Sequence, residues 1–193
     1  EDGSIGVRDY GRGVPLGWNE VEKNWNYILI YEELFAGGKY NKNQDILKKI
    51  DEENSWSGFK ITDYPYLISI GLNGLGGAAT QFSSEYFDVT SYRGGKASSM
   101  HYEKGYHVWD ELKIEDTTEP DGTFVRWKPD IEVFTDVKIP AKWLEKLCVS
   151  LSYVAGFDVI FYNCGNSKVF KASNIYDAMR ESVGECIPVH HFT

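Results

Sequence analysis

Apolar positions near the start of the chain first alternate and then adopt a helical spacing. Ile5 and Val7 alternate with small or polar neighbours and run into the glycine-rich segment Asp9–Pro15, which predicts a strand that ends in a turn. Apolar side chains then recur at three- and four-residue spacing over Glu20–Phe35, and the glycines after Ala36 are typical of a helix stop. This second segment is therefore predicted to be a helix.

A long polar segment, residues 39–66, separates this helix from a second glycine cluster. The segment is rich in Asn, Lys, Asp and Glu and is interrupted by Pro65. Connections of this length usually have a functional role. The cluster at Gly71–Gly77 then opens a predicted small-residue helix over Ala78–Ser84.

The middle of the chain has the pattern of strands and turns. Tyr86–Tyr92 alternates as a strand, Arg93–Lys96 is typical of a hairpin turn, and Ala97–Lys104 is predicted to pair back on the first strand. Leu112–Glu115 and Thr123–Trp127 are predicted to form a second pair, joined by the polar loop between them.

The last third returns to helical spacing. A helix is predicted over Ala141–Tyr153, with one face formed by Leu144, Leu147, Cys148 and Leu151. A strand over Asp158–Asn163 and a helix over Ile175–Ser182 follow. Because no internal repeat or domain boundary is visible, we predict one domain over residues 1–193. Its expected fold is an α/β two-layer sandwich, with a mixed, mostly antiparallel sheet covered on one face by helices.

Composition fits a globular domain and argues against a DNA-binding surface. The 193 residues are 42% hydrophobic, and 20 Lys and Arg against 29 Asp and Glu give a net charge of −9, the wrong sign for neutralising phosphates. No apolar run reaches membrane-spanning length, and the three widely spaced cysteines are typical of reduced thiols, so we expect a cytoplasmic protein. The strand at Gly3–Val7 is entered directly from a turn, which leads us to expect a fragment of a longer protein.

Two glycine motifs carry the candidate chemistry. Taken alone, Asp9-x-Gly11-x-Gly13 is what a tight turn prefers. A carboxylate at a strand end also accepts a hydrogen bond from an amino group, and glycines let a flat ring approach the backbone. The second motif, the GLNGLG segment ending at Gly76, lacks the preceding apolar strand of a Rossmann unit, but backbone N–H groups at a helix start suit a polyphosphate. Together the motifs indicate an adenine nucleotide.

Four ordered segments resemble the ATPase subunits of type II DNA topoisomerases. They are VRDYGRGVPLG from Val7, LFAGGKY from Leu34, IGLNGLGGAATQFSSEYFDVTSYRGGK from Ile70 and DGTFVRWKPD from Asp121. Their order and context are similar to gyrase B and topoisomerase IV B, members of the GHKL ATPase superfamily, and the resemblance covers nearly the whole chain. It implies the GHKL fold, ATP as the ligand, and a parent protein that couples ATP hydrolysis to DNA strand passage.

The resemblance also implies roles for single residues. Asp9 would receive the adenine amino group, directly and through a water that Thr123 supports, while Gly13 would lie against the ring. The other implied contacts are Arg12 and Pro15 at the pocket border, where the family's coumarin inhibitors also bind, Asn73, Gly74, Leu75 and Gly76 at the phosphates, Lys39 near the ATP lid, and Arg93 on the inhibitor side. The lid is expected to be long and to cover residues 41–69.

Simpler interpretations stay open for several of these positions. They are a solvated turn residue for Arg12, a favourable cation after a helix C-terminus for Lys39, and an ordinary strand former for Thr123. His190 and His191 are predicted to be a solvated tail and not metal ligands.

In this superfamily a helix before the DxGxG strand supplies a Glu that activates the attacking water and an Asn that binds magnesium. No Glu in an ExxxN context precedes Asp9, so no catalytic residue and no metal ligand is assigned. The 193-residue chain is therefore predicted to hydrolyse ATP negligibly. The parent protein would hold the Mg²⁺ that accompanies ATP, form a homodimer, pair with a DNA-cleaving subunit and contact DNA through other domains.

Two other hypotheses are open. Another GHKL member, such as a histidine kinase or an Hsp90-type chaperone, would share the glycine motifs, but the AGGK motif, the SEYF hairpin and the GT-to-PD strand favour the topoisomerase family. A degenerate ATPase-like domain with a regulatory or protein-interaction role is favoured by the long lid and the absent catalytic Glu. It is opposed by the presence of both glycine motifs and of Asp9.

Overall fold

The computed structural model describes residues 2–36, 74–108, 111–155, 157–174, 176–177 and 180. The predicted lid at 41–69 lies outside the described residues, and the predicted helix over Ile175–Ser182 lies almost wholly outside them. Residues 2–137 form one compact unit, and the residues from Lys138 onward form another. Each unit is described by itself, and a single domain over the whole chain stays a prediction.

The first unit consists mainly of strands. In chain order its described elements are β1 (Ile5–Asp9), β2 (Trp18–Asn19), β3 (Asn24–Trp25), α1 (Asn26–Tyr31), α2 (Gly76–Phe82), β4 (Ser84–Arg93), β5 (Lys96–Glu103), β6 (Tyr106–His107), β7 (Lys113–Asp116) and β8 (Gly122–Pro129). The sheet has the order β1-β8-β4-β5, and β6 and β7 both pair with β5. All of these pairings are antiparallel.

One face of this sheet carries the core in rows that cross the strands. Directly paired residues point to the same face, so the register defines two apolar rows, Ile5–Trp127–Phe87–Tyr102 and Val7–Val125–Val89–Met100. The ring of Tyr31 in α1 lies 5.3 Å from the ring of Phe87 and 6.4 Å from that of Tyr102. Helix α2 packs against α1 and β4. The predicted sandwich with helices on one face of the sheet is therefore confirmed.

The helix predicted over Glu20–Phe35 is wrong at its end, since α1 ends at Tyr31, and it is also wrong in its first part. There the chain forms the β2–β3 hairpin, and α1 begins only at Asn26. The Asn19 Oδ1 atom accepts hydrogen bonds from the backbone N–H groups of Val21 and Glu22, at 3.0 and 3.1 Å. Asparagine competes with helix formation in this way, and it closes a turn. Apolar residues do recur at helical spacing over this segment, but they belong to two different elements, the β2–β3 hairpin and α1.

The β4–β5 hairpin is confirmed, whereas the second predicted pair is wrong. Gly94 and Gly95 have φ angles of +60° and +76° in the turn that joins β4 to β5. The strand β7 pairs with β5 and the strand β8 pairs with β4, so the two strands lie on opposite sides of the hairpin and do not pair with each other. Proximity along the chain suggested a pairing that the sheet order does not contain. The helix predicted over Ala78–Ser84 is confirmed as α2, which begins two residues earlier.

The second unit contains α3 (Ala141–Ala155), β9 (Val159–Asn163) and β10 (Asn166–Phe170). The helix and the first strand were predicted, whereas β10, which pairs antiparallel with β9, was not. The predicted apolar face of α3 is only partly covered within this unit, because Leu147 and Leu151 are 42% and 41% exposed. On the same helix, the backbone carbonyl oxygen of Ser152 accepts a hydrogen bond from the backbone N–H of Ser173 at 3.1 Å.

Candidate functional site

The two apolar rows of the core face are followed by a polar row at one end of the sheet. Asp9 of β1 pairs with Thr123 of β8, which pairs with Ser91 of β4, which pairs with Ser98 of β5. Their side chains therefore lie on the same face as the core residues. A carboxylate and three hydroxyls in line at the end of an apolar core are typical of a ligand pocket.

A glycine loop folds back over this polar row. The backbone N–H of Val14 donates to the Oγ of Thr123 at 3.2 Å, and an Nη atom of Arg93 donates to the carbonyl oxygen of Gly13 at 3.0 Å. Leu16, which is 2% exposed and belongs to the core cluster, fixes the far end of the loop. The loop and the row are thus tied together from both sides.

Gly13 sits where no other residue fits. Its φ angle is +71°, and a Cβ atom there would lie 2.9 Å from the Oγ of Ser91, 3.1 Å from the carbonyl oxygen of Gly122 and closer still to that of Tyr92. Gly122 is equally constrained, because its Cβ would collide with the carbonyl oxygen of Asp9. Glycine at both positions lets the loop contact the strand ends directly.

Asp9 is partly engaged and partly available. Its Oδ1 atom accepts from the N–H of Gly11 at 2.8 Å, and this is the one hydrogen bond that the Asp9 carboxylate makes among the described residues. The Oδ2 atom is therefore open to a donor such as an amino group. Burial, and then the negative charge of Asp9, raise the pKa of Tyr31 above its ordinary range, so Tyr31 is a neutral phenol within electrostatic reach of Asp9.

The predicted phosphate segment lies at the start of α2. Gly74 has a φ of +64°, Leu75 is the residue before the helix, and Gly76 begins it in open space, since a Cβ there would meet no heavy atom within 4 Å. Gly77, the next residue, packs against the ring of Tyr31, because a Cβ at that position would lie 3.4 Å from it. Asn73 and Lys39 lie outside the described residues.

The structure thus brings together four of the predicted site residues, Asp9, Gly13, Arg93 and Thr123. Arg12 and Pro15 lie on the same loop. Ser91 was not predicted, although the alternation of Phe87, Val89 and Ser91 along one strand placed it on the core face. Gly122 was also missed, because its role depends on a strand pairing that the sequence pattern did not indicate.

The described residues offer neither a metal cluster nor a membrane-spanning helix. They contain no group of three or more His, Cys, Asp or Glu side chains that could hold a metal ion. Among the helices they form, none is long and apolar enough to cross a bilayer.

Curated proteins similar to this chain are B subunits of type II topoisomerases. No protein-family model matches the chain. The DNA gyrase B protein of Thermotoga maritima is 30% identical over 174 residues, which are 89% of this chain and 24% of that protein. The type 2 topoisomerase B protein of Aquifex aeolicus is 29% identical over 79% of this chain and 16% of that protein. The chain thus spans a quarter or less of the length of these curated relatives.

A solved structure shares the fold. The 43K ATPase domain of Thermus thermophilus gyrase B, solved in complex with an aminocoumarin, superposes with a TM-score of 0.66 and 19% sequence identity. The match covers 96% of this chain and 42% of that one. At this identity the likeness establishes the fold.

Proposed function

Because the chain belongs to the gyrase B family of type II topoisomerase subunits, we propose that its polar row and glycine loop bind the adenine of ATP. The observation that carries this proposal is the direct pairing of Asp9 with Thr123 beneath Gly13. The open Oδ2 of Asp9 accepts from the exocyclic amino group of the base. The Thr123 oxygen accepts from Val14, so its own hydrogen is free to donate to an acceptor or a water beside the base.

The remaining predicted contacts complete this proposal. Gly74, Leu75 and Gly76, with Asn73, would bind the phosphates through backbone N–H groups, and Lys39 would lie near the lid. Arg93 holds the carbonyl of Gly13 and so fixes the loop that borders the base. Arg12 and Pro15 would line the open side of the pocket, where an aminocoumarin would also bind.

Replacing Asp9 by Asn tests the base contact. The amide oxygen of D9N can still accept from Gly11, so the turn is kept while the charged acceptor is lost. A hydrogen bond to a charged group contributes about 1.5–3 kcal/mol, so ADP affinity should fall by roughly 10- to 100-fold in calorimetry. Asp130→Asn is the matched control, because the Oδ1 atom of Asp130 accepts from a backbone N–H two residues on at the same 2.8 Å.

Two calorimetric outcomes separate the proposal from its alternative. Weaker ADP binding by D9N with wild-type binding by D130N supports the adenine site. Absence of binding to both ADP and an aminocoumarin in the wild-type chain, with D9N indistinguishable from it, would instead favour a degenerate domain with a regulatory or protein-interaction role.

The proposal includes binding without appreciable hydrolysis by these 193 residues alone. In this family the attacking water is activated by a Glu, and magnesium is bound by an Asn, in a helix before the DxGxG strand. These 193 residues contain no ExxxN motif before Asp9. Phosphoryl transfer depends on positioning and charge stabilisation, which these groups would provide. A phosphate-release assay should therefore detect negligible turnover, and turnover comparable with that of intact gyrase B relatives would contradict this.

For the whole protein we propose an ATP-dependent DNA topoisomerase that acts in the cytoplasm. ATP and Mg²⁺ would be its cofactors, and hydrolysis would drive closure of a homodimer and DNA strand passage together with a DNA-cleaving subunit. The net charge of −9 supports DNA contact through other domains, because an acidic surface repels the phosphate backbone.

A further inference from the structure

Ser91 is a buried hydroxyl without a hydrogen-bond partner. It lies in β4, is 2% exposed, and its Oγ atom has no partner among the described residues. A buried polar group left unsatisfied destabilises a protein by about 1–3 kcal/mol. Such a group therefore calls for a water or a ligand atom as its partner.

The position of Ser91 connects it to the proposed adenine pocket. It is paired directly with Thr123, which is paired directly with Asp9, so the three side chains cross three neighbouring strands in one row. Its Oγ atom also lies 2.9 Å from where a Cβ of Gly13 would stand, which places it directly beneath the glycine loop. The hydroxyl thus lies under the loop that would border the base.

The spacing of the row determines how Ser91 can act. Neighbouring strands are about 4.8 Å apart, so Ser91 is roughly 10 Å from Asp9 along the row. Thr123 lies between the two residues, so a water shared by Ser91 and Thr123 would lie nearer than Ser91 itself to a base bound at Asp9. A bound water needs two to four polar partners, and the hydroxyls of Ser91 and Thr123, which are direct neighbours in the row, provide two of them.

We propose that Ser91 is a positioning residue of the nucleotide pocket, whose hydroxyl anchors a water that it shares with Thr123 and that hydrogen-bonds a ring nitrogen of the bound adenine. This inference rests on the proposed function and adds a residue and a relay to it. It also explains why a polar side chain continues a strand pattern that is otherwise apolar on this face.

Ser91→Ala tests the inference, because it removes the hydroxyl and keeps the small volume that Gly13 requires. Calorimetry on the full 193-residue chain should show ADP binding weakened by about five- to tenfold, the factor expected for one lost hydrogen bond. Ser99→Ala is the matched control. Its hydroxyl bonds Thr90 at 3.0 Å on the opposite face of the same sheet, and its loss should leave ADP affinity unchanged.

Base analogues distinguish a positioning role from a structural one. The S91A defect should disappear with either 1-deaza-ADP or 7-deaza-ADP, whichever lacks the ring nitrogen that the water contacts. The thermal unfolding midpoint of ligand-free S91A should not fall below that of wild type, because the Ser91 hydroxyl makes no hydrogen bond to another described protein group. An equal defect with ADP and both analogues, or wild-type ADP affinity in S91A, would overturn the inference.

The same titrations separate this inference from the proposed function. If the wild-type chain binds ADP, D9N loses it and S91A does not, the adenine site stands and the role of Ser91 is refuted. If the wild-type chain binds no ADP, the proposed adenine site and the proposed role of Ser91 are both refuted.

Discussion

Gly13→Ala is expected to damage the pocket far more than the same change at another glycine of like conformation. Gly13 and Gly95 both have a left-handed φ, at +71° and +76°, where an L side chain is strained by about 1 kcal/mol. A Cβ at Gly95 would meet no atom within 4 Å, whereas a Cβ at Gly13 would press on two backbone carbonyl oxygens and the Oγ of Ser91. Gly95→Ala therefore measures the free-energy cost of backbone strain alone. The difference in stability between the two variants measures the additional cost of the steric clash at Gly13.

The contacts of Gly13 determine how much more G13A should be destabilised than G95A. The carbonyl oxygens that Gly13→Ala would strike belong to Tyr92 and Gly122, which are paired in the sheet and cannot move cheaply. The loop must lift instead, and it then loses the hydrogen bonds from Val14 to Thr123 and from Arg93 to Gly13, at about 1 kcal/mol each. With the backbone strain added, we expect a destabilisation of about 3 kcal/mol for G13A and about 1 kcal/mol for G95A.

Thermal denaturation and ADP titration check this prediction. For a chain of this size each kcal/mol lowers the unfolding midpoint by about 2–4 °C, so G13A should unfold roughly 6–12 °C below wild type and G95A about 2–4 °C below. ADP binding should be weakened more than about tenfold in G13A and unchanged in G95A, because only the first variant displaces the loop. Equal midpoints for the two variants, with wild-type ADP affinity in both, would refute the proposed packing of the loop on the strands.

Two further predictions concern pH. Burial lowers the pKa of His101, but hydrogen bonds to the Asp88 and Glu103 carboxylates outweigh burial and raise the pKa above 6.5. The protonated imidazole therefore stabilises the fold fully below pH 6.5, and this stabilisation is lost as the pH rises through the raised pKa. H101Q should therefore flatten the stability profile above pH 6.5 in urea titrations, and an unchanged slope would contradict this. Hydrogen bonds from the hydroxyl and backbone N–H of Ser4 lower the pKa of Asp2, so its contribution is present above pH 3.8 and is lost as the pH falls below it. Acid titration followed by circular dichroism should show a shallower loss of structure for D2N, and an identical curve would count against the Asp2 contacts.

Features with a local cause were predictable from the sequence. The Arg93–Lys96 turn depends on two adjacent glycines, and the start of α2 depends on a glycine cluster followed by small residues. The placement of Asp9 at a strand end likewise followed from the glycines after it. In each case a few neighbouring residues determine the backbone conformation, so a short window contains the information.

Features with a non-local cause were not predictable in the same way. The partner of β8 could not be inferred from its own pattern, because strand order is set by packing of the whole sheet. Ser91 was overlooked because its importance comes from Thr123 on the next strand and from Gly13 above it. The helix predicted from Glu20 failed for a local reason, since the turn chemistry of Asn19 outweighs the apolar spacing.

The pairing of β1 with β8 also has a consequence for the order of folding. Ser4 and Arg126, which bond at the start of this pairing, are 122 residues apart in sequence, whereas the β4–β5 hairpin closes through a turn of adjacent residues. Closing a long loop is entropically costly and slow, so the hairpin should form early and β1 should dock late. We therefore expect the carboxylate of Asp9 to reach its place in one of the last steps of folding. A nucleotide that binds only the docked state would then slow the detachment of β1, and amide hydrogen exchange should show ADP protecting β1 more than the hairpin.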